Sequence, residues 1–168
     1  MAEKDYLKGK TILIVDDEPD VLETLEELLP TCKTVRATSF EAAESLLTSK
    51  SFDIAILDIM GVDGFRLLNT AVGKKTIAVM LTAHALSPEN TIKSFKEGAA
   101  LYIPKEKIID IDTYLSDVFE AKEKGKHFWW RWFERFGEYY NKKFGDYWHN
   151  TNQDTWPKIE IDFNLRFK

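Results

Sequence analysis

Short apolar runs alternate with stretches of helical spacing along roughly the first 120 residues of the chain. The runs are TILIV (11–15), TVRAT (34–38), DIAIL (53–57), TIAVML (76–81) and ALYI (100–103). Three of these runs are β-branched and continuously apolar, which is typical of strands buried on both faces of a parallel sheet. The pattern therefore predicts five strands.

Five amphipathic helices are predicted between and after these strands, because apolar residues recur there at three- or four-residue spacing. Four of their apolar faces are Val21, Leu22, Leu25, Leu28 and Leu29; Ala42, Ala43, Leu46 and Leu47; Phe65, Leu68 and Val72; and Ile108, Ile109, Ile111, Tyr114, Leu115, Val118 and Phe119. Thr38 and Glu41 are spaced like a capping box. Ser87 and Pro88 suit the N-cap and first turn of the fourth helix, which Gly98 ends.

The alternation of strands and helices predicts an open α/β sheet with right-handed crossovers. In such sheets the ligand site lies at the carboxyl ends of the strands. We therefore expect the functional residues in the segments that directly follow the strands.

Composition narrows the class of protein further. The chain has 168 residues, a net charge of -5 and 44% hydrophobic residues, which is enough for one ordinary core. The single Cys32 excludes a disulfide within the chain, and no Cys/His cluster has zinc spacing. The first ten residues lack the apolar core of a signal peptide, and no apolar run approaches the roughly 20 residues that span a bilayer. We therefore expect a soluble protein in the cytoplasm.

Charge and aromatic residues divide the chain into two unequal parts. Residues 1–120 carry a net charge of -8, whereas residues 121–168 carry +3 and contain all five tryptophans. A break in composition of this kind indicates two parts with different roles. We expect one domain over residues 1–124 and an aromatic-rich extension over residues 125–168.

Polar side chains follow four of the five predicted strands. Asp16 and Asp17 follow the first strand, Asp58 the third and Lys105 the fifth, while Thr82 ends the fourth. Because the carboxyl ends of parallel strands meet at one edge of a sheet, these side chains are expected to converge. Three clustered carboxylates are unfavourable unless a cation neutralises them, and oxygen-only ligands favour a hard ion such as Mg²⁺.

This set of side chains predicts a particular kind of chemistry. Mg²⁺ beside a carboxylate can hold a phosphate group against it, with the carboxylate as nucleophile. Lys105 and Thr82 are suited to bind phosphoryl oxygens. The sequence therefore predicts an aspartyl-phosphate site with Asp58 as the acceptor. Glu18 follows Asp16 and Asp17 directly and is assigned to the first turn of the next helix, where its negative charge interacts favourably with the helix dipole.

These motifs together resemble the receiver domain of two-component response regulators. They are VDDE (15–18), ILD (56–58), LTA (81–83) and YIPK (102–105), in an order and spacing similar to that family over roughly residues 10–122. The resemblance implies a doubly wound, flavodoxin-like sheet of five parallel strands in the order 2-1-3-4-5. The chain would carry a short C-terminal extension, predicted to be a helix followed by a strand.

The resemblance also implies roles for individual residues. Asp58 would accept a phosphoryl group from a phosphohistidine on a sensor histidine kinase or phosphotransfer protein. Asp17 would bind Mg²⁺ directly, Asp16 would do so mainly through water, and the backbone carbonyl of Met60 would be a further ligand beside Asp58.

The remaining implied roles concern the response to phosphorylation. Thr82 and Lys105 would contact the phosphoryl group, and Tyr102 would be the switch aromatic. As Thr82 moves toward the phosphoryl oxygens, it leaves space for the Tyr102 ring, so a local shift repacks the surface around the fourth helix and the fifth strand.

The loop after the acceptor departs from the family pattern. The family usually has MPxxDG a few residues after the acceptor, whereas this chain has DIMGVDG (58–64). Gly64 comes about two residues early, and Gly61 stands where a proline is usual. We therefore expect a shortened loop, an altered carbonyl geometry at Met60 and a changed lifetime of the phosphoryl group.

A second departure concerns proline. The family normally has a proline after the lysine with a cis bond between them, whereas here Pro104 precedes Lys105. A cis bond between Lys105 and Glu106 would cost about 3 kcal/mol. We predict that this bond is trans, or that the cis bond has moved to Ile103–Pro104.

The extension contains two distinct patterns. Aromatic residues recur every three or four positions over 127–148, which predicts a helix packed on its own receiver or on a second copy. A helix lying on a membrane surface is the alternative. KIEIDFNLRFK (158–168) alternates as a half-buried strand does, and a lone strand must pair, so a homodimer through this strand is attractive. The modest charge and the lack of a helix-turn-helix pattern argue against nucleic acid.

The predicted function is that of a phosphoacceptor signalling protein rather than an enzyme. Its partners would be a sensor kinase or phosphotransfer protein and an unknown downstream protein. A pseudo-receiver scaffold is one alternative, against which the intact set of five residues argues. A small Mg²⁺-dependent phosphohydrolase is another, but it would commonly need an acid two residues after Asp58, where Met60 stands.

Overall fold

The computed structural model of the chain describes residues 4–83, 86–125 and 128–145, and for 128–130 and 133 the description is limited to the backbone. Five parallel strands form one sheet in the order β2-β1-β3-β4-β5. They are β1 (Thr11–Val15), β2 (Lys33–Ala37), β3 (Ile54–Asp58), β4 (Ile77–Thr82) and β5 (Leu101–Pro104). The five predicted strands and the strand order implied by the resemblance are confirmed.

Helices cover both faces of this sheet, as in a doubly wound α/β fold. They are α1 (Pro19–Leu28), α2 (Phe40–Ser49), α3 (Gly64–Gly73), α4 (Pro88–Lys96), α5 (Ile111–Lys124) and α6 (Phe128–Phe144). A 3₁₀ helix over Lys105–Asp110 joins β5 to α5. Among the described residues, no helix is both long enough and apolar enough to cross a membrane.

The core lies along the central strands. Every residue of β3 and β4 is buried, and in β1 only Thr11 is partly exposed. The edge strand β2 is largely exposed or half-buried, which agrees with the polar residues in its sequence. Continuous apolar runs thus mark the strands that are covered on both faces, as expected for a parallel sheet.

Two predicted helix starts have different outcomes. Ser87 is the N-cap of α4, where its hydroxyl accepts a hydrogen bond from the Asn90 amide at 3.0 Å, as predicted. The capping box at Thr38 is wrong by one residue, because Ser39 is the N-cap of α2 and accepts from the Ala42 amide at 3.2 Å. Both residues carry a hydroxyl suited to a cap, and the backbone direction selects the second one.

The start of the fifth helix also differs from the prediction. Ile109 is 69% exposed and does not belong to the apolar face, whereas Ile111 is fully buried. A 3₁₀ helix repeats every three residues, so Ile108 and Ile111 lie on the same side and Ile109 points away from it.

All peptide bonds in the described residues are trans, so the predicted trans bond between Lys105 and Glu106 is confirmed.

The aromatic helix α6 packs on the same sheet-and-helix body. It runs through Gly137 and ends before Gly145, whose φ of +88° is a left-handed conformation that glycine adopts readily. Trp132, Phe136 and Tyr140 are buried in one hydrophobic cluster with the core of the sheet. The predicted helix is confirmed, and of the two packing partners expected for it the structure shows the chain's own sheet and helices. The predicted strand over 158–168 lies outside the described residues.

Candidate functional site

The sheet topology brings the predicted polar side chains to one edge. Asp16 follows β1, Asp58 ends the adjacent β3, Thr82 ends β4, and Lys105 follows β5. The side chains of Asp16, Asp58 and Thr82 are buried, although all three are polar. Polar groups are costly to bury without partners, so the ion pairs and hydrogen bonds of these side chains indicate the chemistry of this edge.

Lys105 is the centre of the charge arrangement. Its Nζ lies 2.8 Å from Oδ2 of Asp16 and 3.3 Å from Oδ1 of Asp58. It also lies 3.3 Å from Oε1 of Glu18, and its own side chain is only 14% exposed. One ammonium therefore faces carboxylates from two strand ends and from the start of α1.

A cluster of three carboxylates lies beside this lysine. One oxygen each from Asp16, Asp17 and Glu18 lies within 4.8 Å of the other two. Oδ1 of Asp16 accepts a hydrogen bond from the Glu18 amide at 2.9 Å, which fixes the turn between β1 and α1. Glu18, which the sequence assigned to the helix alone, is the N-cap residue of α1 and faces the site as well.

The buried acids have altered proton affinity. Burial raises the pKa of Asp58 to about 6, the charge of Asp16 adds to this effect, and Lys105 opposes it. Burial likewise raises the pKa of Asp16, against the hydrogen bond from Lys105. Burial opposes the charge on Lys105, but Asp16 and Asp58 outweigh it and raise the pKa of the ammonium. The edge thus carries more negative charge than its one lysine neutralises.

The donor set fits a hard divalent cation. Among the residues that the structure describes, Asp16, Asp17 and Glu18 form the one group of acids, histidines or cysteines close enough to hold a metal together. All of the donors are carboxylate oxygens, which Mg²⁺ prefers over softer metals. The excess of negative charge at the site is the electrostatic condition under which such an ion binds.

Two glycines let the short loop after β3 lie close to these acids. Gly61 has a φ of +88°, and a Cβ atom there would lie 2.5 Å from Oδ2 of Asp17. A Cβ on Gly64 would collide with the backbone carbonyl of Asp58. The Gly64 amide donates to the carbonyl of Ile59 at 3.2 Å and closes the loop. The Met60 side chain, in the same loop, is 56% exposed.

Tyr102 lies inside the protein next to Thr82. The ring is fully buried in β5, and burial raises the pKa of its hydroxyl. That hydroxyl has hydrogen-bonding contacts with the side chains of Thr91 and Thr82 and with the backbone of Ser87. The aromatic ring implied as a switch is therefore in contact with the hydroxyl residue at the end of β4.

A family model for the response regulator receiver domain matches residues 12–115 of this chain. The chain belongs to the response regulator receiver family. The matched segment runs from β1 into α5 and includes each strand end that carries a candidate site residue. Membership places this receiver domain in two-component signalling and makes it a signalling domain.

Curated relatives of the receiver domain come from bacteria and plants. The heme response regulator HssR of Staphylococcus aureus is 38% identical over 117 residues, which are 66% of this chain and 46% of the relative. The two-component response regulator ARR18 of Arabidopsis thaliana is 37% identical over 103 residues, which are 58% of this chain and 16% of the relative. The chain thus spans less than half the length of these two relatives.

Solved receiver structures share the fold. A CheY-like receiver domain protein from Methanospirillum hungatei is 27% identical, with a TM-score of 0.63, over 70% of this chain and 99% of that one. A Francisella receiver domain, 22% identical with a TM-score of 0.61, covers 67% of this chain and 98% of that one and agrees in fold. Helix α6 lies beyond the segment that the family model matches.

Proposed function

We propose that this protein is a response regulator whose Asp58 accepts a phosphoryl group from a phosphohistidine on a sensor histidine kinase or a phosphotransfer protein. The observation that carries the proposal is the position of Asp58. Its carboxylate ends a buried strand and faces the ammonium of Lys105 at 3.3 Å, at the same edge as Asp16. The candidate nucleophile Asp58, the ammonium of Lys105 and the carboxylates that could bind a metal therefore lie at one edge of the sheet.

The proposed transfer needs no further reactant. A carboxylate oxygen of Asp58 attacks phosphorus, and the bond between phosphorus and the histidine nitrogen breaks as the new bond forms. The histidine nitrogen leaves with the electron pair of that bond and takes up a proton from solvent. Lys105 and the hydroxyl of Thr82 then bind phosphoryl oxygens, Lys105 as a point charge.

The metal in this proposal is Mg²⁺. Asp17 would hold it directly, Asp16 mainly through water, and Asp58 and the backbone carbonyl of Met60 would complete the protein's ligands. Glu18 adds negative charge next to this set. When bound, Mg²⁺ supplies positive charge between the carboxylates and the phosphoryl oxygens, which lowers their repulsion.

The proposed output is a change in protein interaction. Thr82 and Tyr102 form the switch, because the two side chains are in contact and Thr82 is placed to respond to the phosphoryl group. The receiver unit would comprise residues 1–124 and the extension residues 125–168. A downstream protein, or a homodimer formed through 158–168, would read the change.

Beryllofluoride, which mimics an aspartyl phosphate, tests the proposal. We expect the full chain to bind it in the presence of Mg²⁺ and to lose this binding in Asp58→Asn. Asp112→Asn is the matched control, because Asp112 is an exposed acid in the first turn of α5.

Three results would contradict the proposal. Binding that survives in Asp58→Asn would place the acceptor elsewhere. No binding by the unaltered chain would favour a scaffold that acts without phosphorylation. Multiple turnover of an external phosphate ester would make the protein a phosphohydrolase.

A further inference from the structure

Helix α6 lies on the face formed by α4, β5 and α5, and aromatic contacts hold it there. The Trp132 ring meets Phe95 of α4 edge-on, with ring centres 5.2 Å apart. Phe136 packs on Tyr114 of α5 at 4.9 Å. The Trp132 indole also donates a hydrogen bond of 2.8 Å to the backbone carbonyl of Tyr102 in β5. One helix therefore contacts all three elements of this face.

Ion pairs border the aromatic contact and orient the helix. Arg135 donates from Nη2 to Oδ1 of Asp117 at 3.0 Å, and its Nε pairs with the other oxygen. Lys143 lies 3.4 Å from Glu106 in the 3₁₀ helix. The Lys143–Glu106 pair is about half-exposed and contributes little stability, whereas Asp117 is only 10% exposed in its pair with Arg135.

A chain of buried hydroxyls links α6 to the strand ends of the site. The Tyr140 hydroxyl lies 2.5 Å from Oγ1 of Thr91 in α4. Thr91 also contacts the hydroxyl of Tyr102, which in turn contacts Thr82. All four side chains are buried. The sequence of contacts from α6 to the end of β4 is therefore continuous.

Tyr102 is consequently linked to α6 directly at its backbone carbonyl and indirectly, through Thr91, at its hydroxyl. The Trp132 indole donates to the carbonyl, and the Tyr140 hydroxyl lies beside Oγ1 of Thr91, which also contacts the Tyr102 hydroxyl. The ring is fully buried in this inward position, and α6 contacts both its backbone and, through Thr91, its hydroxyl. The inward position is the one that fills the space beside Thr82 when Thr82 turns toward a phosphoryl group.

We propose that α6 is an intramolecular ligand of the α4–β5–α5 face and that its docking favours phosphorylation of Asp58. The inference rests on the proposed function. Docked α6 keeps Tyr102 in the inward position before the phosphoryl group arrives, so less rearrangement remains to be made. By linkage, a phosphoryl group on Asp58 must strengthen the docking of α6 by the same factor.

Matched tyrosine variants of the full chain test this coupling through beryllofluoride affinity with Mg²⁺. Tyr140→Phe removes the hydroxyl that meets Thr91 and should weaken beryllofluoride binding about fivefold, which corresponds to the loss of one hydrogen bond. Trp132→Phe, which removes the donor to Tyr102, should act in the same direction. Tyr139→Phe is the control, because the buried Tyr139 hydroxyl has no hydrogen-bond partner among the described residues. It should leave the affinity unchanged.

Hydrogen exchange of the α6 amides supplies the reciprocal measurement. In the unaltered chain, beryllofluoride should slow exchange in α6, whereas in Tyr140→Phe the effect should be smaller. Unchanged exchange, faster exchange, or equal beryllofluoride affinity in Tyr140→Phe and the unaltered chain would overturn the coupling and leave the acceptor role of Asp58 intact. No beryllofluoride binding by the unaltered chain would overturn both proposals.

Discussion

At the scale of single residues, the site depends on how closely its acids approach the loop after β3. Asp17 can keep its position because Gly61 has no side chain at a φ of +88°. The loop after β3 thus passes close to the acid expected to bind Mg²⁺ directly without displacing it. The close contact makes Gly61 a residue that supports the metal site without being a ligand.

Gly61→Ala is expected to weaken Mg²⁺ binding about tenfold, the effect typical of a residue that orients a ligand. Its new Cβ would displace the Asp17 carboxylate, in addition to the cost of about 1–2 kcal/mol for an alanine in a left-handed conformation. Isothermal titration with Mg²⁺ and urea unfolding measure the two effects.

Gly9→Ala separates these effects, since Gly9 has a φ of +76° and open space around its missing Cβ. The Gly9→Ala variant should lose about as much stability as Gly61→Ala and should bind Mg²⁺ with the affinity of the unaltered chain. Equal Mg²⁺ affinity in Gly61→Ala and Gly9→Ala would show that the contact with Asp17 does not matter.

The sequence predicts most of the site at this scale, for a physical reason. Asp16, Asp58, Thr82 and Lys105 each stand at or directly after a strand end, and parallel topology brings such ends together. Glu18 was missed because its contact with Lys105 joins residues 87 positions apart through the turn before α1. The position of Glu18 directly after Asp16 and Asp17 was the sequence signal that could have indicated its place at the site.

At the scale of secondary-structure elements, helix boundaries depend on the backbone path as well as on residue type. Thr38 and Ser39 both carry hydroxyls before α2, but Ser39 is the N-cap, with an extended backbone, and its hydroxyl accepts from the Ala42 amide. Periodicity predicts the helix, but it does not specify which of two adjacent hydroxyl residues is the N-cap.

Substitutions at these two neighbours should differ in their effect on stability. Ser39→Ala should lower the free energy of unfolding by about 1 kcal/mol, since it removes a cap. Thr38→Ala, the paired control, should change it by less than about 0.5 kcal/mol. Urea unfolding of both variants measures the difference. A larger loss of stability in Thr38→Ala than in Ser39→Ala would contradict the assignment of Ser39 as the cap.

At the scale of the whole molecule, α6 and the receiver share one hydrophobic cluster. Helical spacing of the aromatic residues predicts an apolar face, but it cannot specify which surface that face covers. The structure places it on α4, β5 and α5, through Trp132, Phe136 and Tyr140. The composition break near residue 120 therefore falls within one folded body.

Phe136→Ala tests whether the body unfolds as a unit. Phe136 is buried against Tyr114, so its truncation should cost about 3–5 kcal/mol and lower the single unfolding transition of the entire chain. Phe144→Ala is the control, because Phe144 is only half-buried near the end of α6, and it should cost less. If the transition of the receiver keeps its midpoint in Phe136→Ala, the helix is energetically separate.

The position of Trp132 has a spectroscopic consequence. Residues 1–128 contain no tryptophan, so every indole of the protein lies in the extension. The Trp132 indole is buried and donates to the backbone carbonyl of Tyr102, the proposed switch residue. We therefore expect a change in the packing of Tyr102 to change the fluorescence of Trp132, which would make this indole an internal optical probe of the proposed switch.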